Sequence, residues 1–263
     1  MNTKKILITN DDGIEAVGLW TLVRALENIA EITVVAPDKE QSATSHSITI
    51  HEPIWMKEYQ THEGKRGFAV GGTPTDCVKL ALEVIVDSKP DLIISGINLG
   101  SNAGINALYS GTVAAALEGA IQQIPSIAVS LATYTDPVFD FAGKFTKNIV
   151  LDVLKNGWLK KGFALNINIP AVPEEKIRGA RVARQGASMF IENFERRFSP
   201  SGGVYFWMSG EKRFNNVPEN SDEDLIRQNI ISITPIRPDI TAHSEIEHIA
   251  SKINRQTSVN VTK

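Results

Sequence analysis

Cysteine is nearly absent. Cys77 is the only one in 263 residues, which excludes an internal disulfide framework and a thiolate zinc site. Charge of one sign is not in excess either: 27 basic against 30 acidic residues leave a formal net charge of −3. A general grip on nucleic-acid phosphates needs a basic surplus or stripe, so no stable nucleic-acid partner is expected. No window reaches the ~18 apolar residues of a membrane span, and no membrane association is expected. The apolar run after residues 1–5 stops at Asn10-Asp11-Asp12, too early for a signal peptide; the expected location is the cytoplasm. Several chemistries are missing as well. There is no G-x-x-x-x-G-K-[ST], no G-x-G-x-x-G after a strand, and no H-E-x-x-H among the five histidines, which argues against a P-loop NTPase, a dinucleotide cofactor and a zinc hydrolase. The absence of G-x-S-x-G weakens an α/β-hydrolase reading.

What is present is an alternation of short apolar runs with longer helical patterns. Strands are expected at 6–9, 32–36, 92–95, 127–130 and 165–169, and helices over 19–29, 73–86, 112–122 and 139–154. Thr73-Pro74-Thr75-Asp76 has the signature of a helix start: a capping Thr, Pro at the first helical position and Asp three residues after the cap. Continuously apolar strands alternating with helices imply an α/β fold, a mostly parallel sheet with helices on both faces. Such sheets bind ligands beyond the carboxyl ends of their strands. The last third differs. Phe190, Phe194, Phe198, Tyr205, Phe206 and Trp207 crowd around Ser199-Pro200-Ser201-Gly202-Gly203, which predicts an aromatic hairpin, an arm that buries its rings against a partner subunit. Residues 215–224 are polar and acidic and are expected as an exposed loop. The expected division is a Rossmann-like catalytic core over 1–175 and a C-terminal segment over 176–263 within the same overall unit.

Three strand ends carry the chemistry. The first is Asn10-Asp11-Asp12-Gly13, the second runs from Pro37 through Ser42 to Ser47, and the third from Ser95 through Asn98 to Gly104. Adjacent carboxylates repel unless a cation, a proton or a partner intervenes. Asp11 and Asp12 with the Ser42 hydroxyl and the Asn98 amide form an oxygen-only donor set, suited to one Mg²⁺ or Mn²⁺; Ca²⁺ is admitted by the same donors. A turn or a helix cap would explain Asp-Gly in isolation; three polar strand ends at one edge favour the cation. Ser110-Gly111-Thr112, directly before an apolar helix, offers free backbone N–H groups and the positive dipole end to a phosphate, with ordinary capping by Ser110 as the alternative. Glycines 96, 100 and 104 permit close approach of backbone to ligand. His46 either donates to a phosphate or leaving group or makes a structural hydrogen bond. Asp239 and His243, four apart, are expected as an ion pair on one helix face.

These segments resemble the SurE survival-protein family of 5′-nucleotidases. The resemblance rests on the runs 6–13 and 35–43, on Gly72-Thr73-Pro74-Thr75-Asp76-Cys77-Val78, on Ser95-Gly96-Ile97-Asn98-Leu99-Gly100, on the run 110–119 and on Ser232-Ile233-Thr234-Pro235. It implies a Rossmann-like core and a metal-dependent phosphatase for nucleoside 5′-monophosphates, with 3′-nucleotides and short polyphosphate left open. It places the metal on Asp11, Asp12, Ser42 and Asn98, and the phosphate on Asn102, Ser110, Gly111 and Thr112, and it implies a homodimer or homotetramer built by exchange of C-terminal elements. The expected mechanism is one in-line attack by metal-activated water, with Asp11 taking its proton, Asp12 a pure ligand and Asn10 orienting the pair or the substrate. Three rivals stand beside it. A phospho-aspartyl route would require Asp-x-Asp, a non-catalytic nucleotide sensor would need no cation, and a purely structural subunit leaves the paired carboxylates unexplained.

Overall fold

The computed structural model describes residues 3–213 and 217–256. The chain opens with β1 (Lys5–Thr9), α1 (Val17–Leu26) and β2 (Glu31–Pro37), followed by a hairpin of β3 (Met56–Gln60) and β4 (Arg66–Val70) that sequence reading did not anticipate. It continues through α2 (Pro74–Leu80), β5 (Leu92–Leu99), α3 (Gly111–Ile121), β6 (Ser126–Ala132), α4 (Asp140–Asn156) and β7 (Ala164–Pro170). The remainder holds β8 (Ala180–Val182), β9 (Met189–Phe198), β10 (Val204–Arg213), α5 (Asp222–Arg227), β11 (Ile231–Ile236) and α6 (Ile246–Gln256). Among the described residues no helix is long and apolar enough to cross a membrane.

One nine-stranded sheet runs in the order β3-β4-β2-β1-β5-β6-β7-β11-β8. The six strands from β4 to β7 are parallel; β3 and β11 are antiparallel to their inner neighbours and β8 follows β11. Side chains alternate between faces with the period of two that a pleated strand imposes. Ile6, Ile8, Leu92 and Ile94 enter a core with Leu19, Leu22 and Leu26 of α1 and Ala142, Val150 and Val153 of α4. Leu7 and Ile93 point the other way, to Cys77 and Val78 of α2 and Ala115 of α3. Both faces are therefore covered, which is why these strands read as unbroken apolar runs. α4 shares its face with α1 although β6–α4–β7 advances across the sheet in the opposite direction to β1–α1–β2. That crossover has the hand opposite to its neighbours, against the strong right-handed rule.

Local chemistry explains the helix starts. Thr73 accepts the Asp76 N–H while the Asp76 side chain accepts the Thr73 N–H, a complete capping box with Pro74 at the first helical position. α3 is capped by the Ser110 hydroxyl, which accepts the Val113 N–H at 3.1 Å. The aromatic hairpin forms as expected: β9 and β10 pair antiparallel, Phe194 opposite Met208 and Phe198 opposite Val204, outside the large sheet. Phe194, Phe198, Phe206, Trp207 and Met208 are all exposed, and the Phe190 side chain lies outside the described residues.

Two expectations are corrected. Residues 217–224 do not form a simple exposed loop: Ser221 caps α5, and Ser221, Asp222 and Glu223 are buried. Asn215 and Asn216 lie outside the described residues. Asp239 and His243 do pair, at 2.7 Å, but Asp239 lies in the irregular segment before a 3-10 turn, not on a helix face.

Candidate active site

β1 and β5 are adjacent and parallel. From β1 the chain moves outward to β2 and β4, then crosses back through α2 to β5 and proceeds the other way. The crevice between the carboxyl ends of β1 and β5 is thus the topological switch point, where doubly wound sheets bind ligands. Asp11 and Asp12 follow β1, and Asn98 is the last residue but one of β5. A bulge delivers Asn98 to the right face: Ser95 pairs with Ala128, yet Asn98 pairs with Ser130, so β5 carries one extra residue. The parity of the strand is reversed by it. Ile97 enters the core with α1 and α4, and Asn98 lies opposite Ser130, on the face of α2 and α3.

Asp11 is packed against the start of α3. Its Oδ1 accepts a hydrogen bond from the Thr112 hydroxyl, and the Thr112 backbone N–H also favours its carboxylate. A Cβ on Gly111 would stand 2.8 Å from the Asp11 Cβ and 3.1 Å from both its Oδ2 and the Pro74 ring. Only glycine lets the first turns of α2 and α3 close on this aspartate. Asp12 turns the other way and accepts the Leu99 N–H at 3.0 Å. Burial pushes the Asp11 carboxyl up despite the Thr112 bonds. Asp12 is pushed up to about 7, first by burial and then by Asp11, with Glu40 adding to it.

The residues fit a divalent cation. Two carboxylates held together out of water are costly, and a positive ion relieves both the burial and the repulsion. Asn98 donates its side-chain N–H to the Gly100 carbonyl at 2.7 Å, leaving Oδ1 as the end that can accept an ion. The Asn10 Nδ2 donates to the Gly13 carbonyl at 2.9 Å, while its buried Oδ1 has no hydrogen-bond partner among the described residues. No three His, Cys, Asp or Glu side chains among the described residues come together to hold a metal, so amide or hydroxyl oxygens would have to complete the set. Ser42 stands on a loop pinned beside Asp11, where the Gln41 N–H donates to the Asp11 carbonyl at 2.7 Å. Its hydroxyl, however, donates to Glu40 at 2.6 Å rather than joining the aspartates.

The second loop is stitched down along its length. Thr49 bonds Asp76 through both N–H and hydroxyl, at 3.0 and 2.7 Å, and the Ser45 N–H donates to the Tyr109 carbonyl at 3.0 Å. His46 makes a structural bond: its Nε2 lies 3.1 Å from Glu118, which also meets Lys79 at 2.9 Å and Gln122 at 2.9 Å. Burial alone would raise the Glu118 carboxyl, but these three partners outweigh it and hold it at about 2.

Residues 6–192 match the family model described as survival protein SurE. The chain belongs to the SurE family. It is 45% identical over 245 residues to the 5′-nucleotidase SurE of Chlorobaculum tepidum, covering 92% of this chain and 93% of that one. With the 5′-nucleotidase SurE of Thermosipho africanus the identity is 41% over 255 residues, 96% and 98% of the two chains. The crystal structure of the SurE protein from Aquifex aeolicus aligns with a TM-score of 0.81 at 35% identity, covering 95% of this chain and 99% of that one.

Sequence reading of this SurE chain missed Glu40 beside the paired aspartates, and it missed what holds the loop after β5. Gly104 donates its N–H to Asp222 at 3.0 Å and accepts from the Gln185 side chain at 2.9 Å. Its φ of +63° and the Glu223 carboxylate, 2.6 Å from where a Cβ would stand, both require glycine there. The alternation Asn166-Ile167-Asn168 was the available signal for a polar face on β7.

Proposed function

We propose that this SurE-family chain is a 5′-nucleotidase that hydrolyses nucleoside 5′-monophosphates with one divalent cation, Mg²⁺ or Mn²⁺, per subunit. The observation that carries the reading is the placement of Asp11: a buried carboxylate packed on Gly111 and Thr112, where two helix N-termini converge. The names borne by the curated relatives give the substrate class.

Asp11, Asp12, Asn98 and, with its hydroxyl turned inward, Ser42 would hold the cation. Once bound, it neutralises phosphate charge and acidifies nearby water. Ser110 and Gly111 bind the phosphoryl oxygens at the positive end of α3, and Thr112 joins them when its donors turn from Asp11 to the phosphate; the Val113 N–H stays with its cap, Ser110. Asn102 contributes an amide N–H from the β5 loop, and Asn10 fixes the turn that presents both aspartates. Water attacks phosphorus in line, the bond to the ribose oxygen breaks, that oxygen takes a proton from solvent, and nucleoside and orthophosphate leave. Asp11 accepts the water's proton, because it is the aspartate that faces the phosphate end of α3, whereas Asp12 faces β5. The exposed aromatics of β9 and β10 pack against a second copy of the chain, giving a homodimer or homotetramer.

Phosphate release from AMP should vanish with EDTA and return with Mn²⁺ or Mg²⁺. Asp11→Asn should lower turnover by at least 10³-fold, within the range of a proton-transfer residue, with an unchanged melting profile. Tight AMP binding without release under any cation would replace this reading with the nucleotide sensor.

A further inference from the structure

We infer that Asn166 and Asn168 of β7, together with Ser130 of β6, are positioning residues that set Asn102 for the substrate. This rests on the nucleotidase reading and extends it to the strands that hold the loop after β5. Asn102 is 8% exposed, and the framework holds it by three separate groups. Its backbone N–H donates to Asn168 Oδ1 at 2.8 Å. Its carbonyl accepts from Asn166 Nδ2 at 2.8 Å. Its side-chain Nδ2 donates to Ser130 Oγ, also at 2.8 Å. The two β7 asparagines are tied to each other at 3.4 Å, and the Ser101 hydroxyl reaches Asn168 at 3.3 Å.

Buried amides in a strand cost free energy unless every group is satisfied. On the opposite face the same strand carries Ile167 and Ile169, fully buried in the core. Two asparagines on the α3 face therefore add little to packing, and their hydrogen bonds converge on one loop residue. The planar amide of Asn102, with one N–H on Ser130 and the backbone clamped on both sides, has no rotation left; its remaining N–H is the one offered to a phosphoryl oxygen. The polar strip continues onto β11, where Ser232 lies opposite Asn168 and Thr234 opposite Asn166. Both hydroxyls are buried without a hydrogen-bond partner among the described residues. The Ser232-Ile233-Thr234-Pro235 segment thus backs the asparagine pair.

The test is a double-mutant cycle read in kcat and KM for phosphate release from AMP with Mn²⁺, with melting temperature measured in parallel. Asn168→Ala and Ser130→Ala should each lower kcat/KM by roughly 10- to 100-fold, the scale of a small misplacement. Combined with Asn102→Ala, neither should add to the loss that Asn102→Ala causes alone. Ser130→Ala removes one atom and decides the question if Asn168→Ala does not fold. Losses that multiply in the double variants, or that follow the melting temperature, would show a merely structural role and overturn the proposal. A wild-type chain that releases no phosphate in this assay would remove the nucleotidase reading, and the positioning role with it.

Discussion

At the scale of single residues, the site depends on close approach more than on unusual groups. Gly111→Ala would place a methyl 2.8 Å from the Asp11 Cβ, forcing Asp11 or the α3 start to move. The expected outcome is a fall of about 10²-fold in kcat/KM with a small change in melting temperature, measured by phosphate release and calorimetry. Glu118 gives a pH signature. Its folded carboxyl lies at about 2, below the ordinary 4.5, so its contribution is complete above 4.5 and is lost as pH falls from there through 2. Urea midpoints of the wild type should drop more steeply between pH 5 and 3 than those of Glu118→Gln. Asp11, Asp12 and Asn98 were legible because polar residues at the ends of apolar strands are conspicuous. Glu118 and Glu40 were not, since nothing in one sequence says that a helix acid will face a loop histidine 72 positions away, or that a loop acid will lie beside the aspartates.

Elements were legible where periodicity was strong and obscure where tertiary contacts decide. Of the six parallel strands, β1, β2, β6 and β7 stand within a few residues of their expected bounds, as do α1, α3 and α4; α2 completes its expected span with a π-helical turn over Ala81–Ile85, and β4 was not expected. The apolar run predicts that β5 ends at Ser95; the bulge carries the strand on to Leu99. The acids that open α5 look solvated in the sequence and predict a loop to Asp224. They are buried since Asp222 accepts the N–H groups of Gly104, Gly186 and Glu223 at 3.0, 2.7 and 2.8 Å. Asp222→Ala would leave those donors without their acceptor, at a cost of about 1–3 kcal/mol. Urea denaturation should register that loss, and Asp222→Asn, which keeps an acceptor oxygen, should lose less.

For the whole molecule, the sheet order could not be read from the chain, because strand pairing is decided by contacts remote in sequence; the reversed crossover leaves one trace in β7, whose Ile167 and Ile169 share the core with α4 while Asn166 and Asn168 take the other face. The exposed rings of the hairpin and the Ile246, Ile249 and Ile253 stripe of α6 are apolar surfaces of the kind that mark interfaces. Replacing Phe206 and Trp207 together by Glu should shift the protein to a smaller species in light scattering while its circular dichroism stays the same. An unchanged mass would remove the hairpin from the assembly.

The clamp on Gly104 bears on the order in which a ribosome makes this protein. The aspartates, the bulge and the α3 start are all synthesised within the first 112 residues, and the β7 asparagines by residue 168. Asp222, Ser232 and Thr234 emerge only near the end of translation. A growing chain therefore carries its chemical groups long before the loop between them is held in place, and a prematurely terminated copy ends with the parts of a phosphatase but not their alignment.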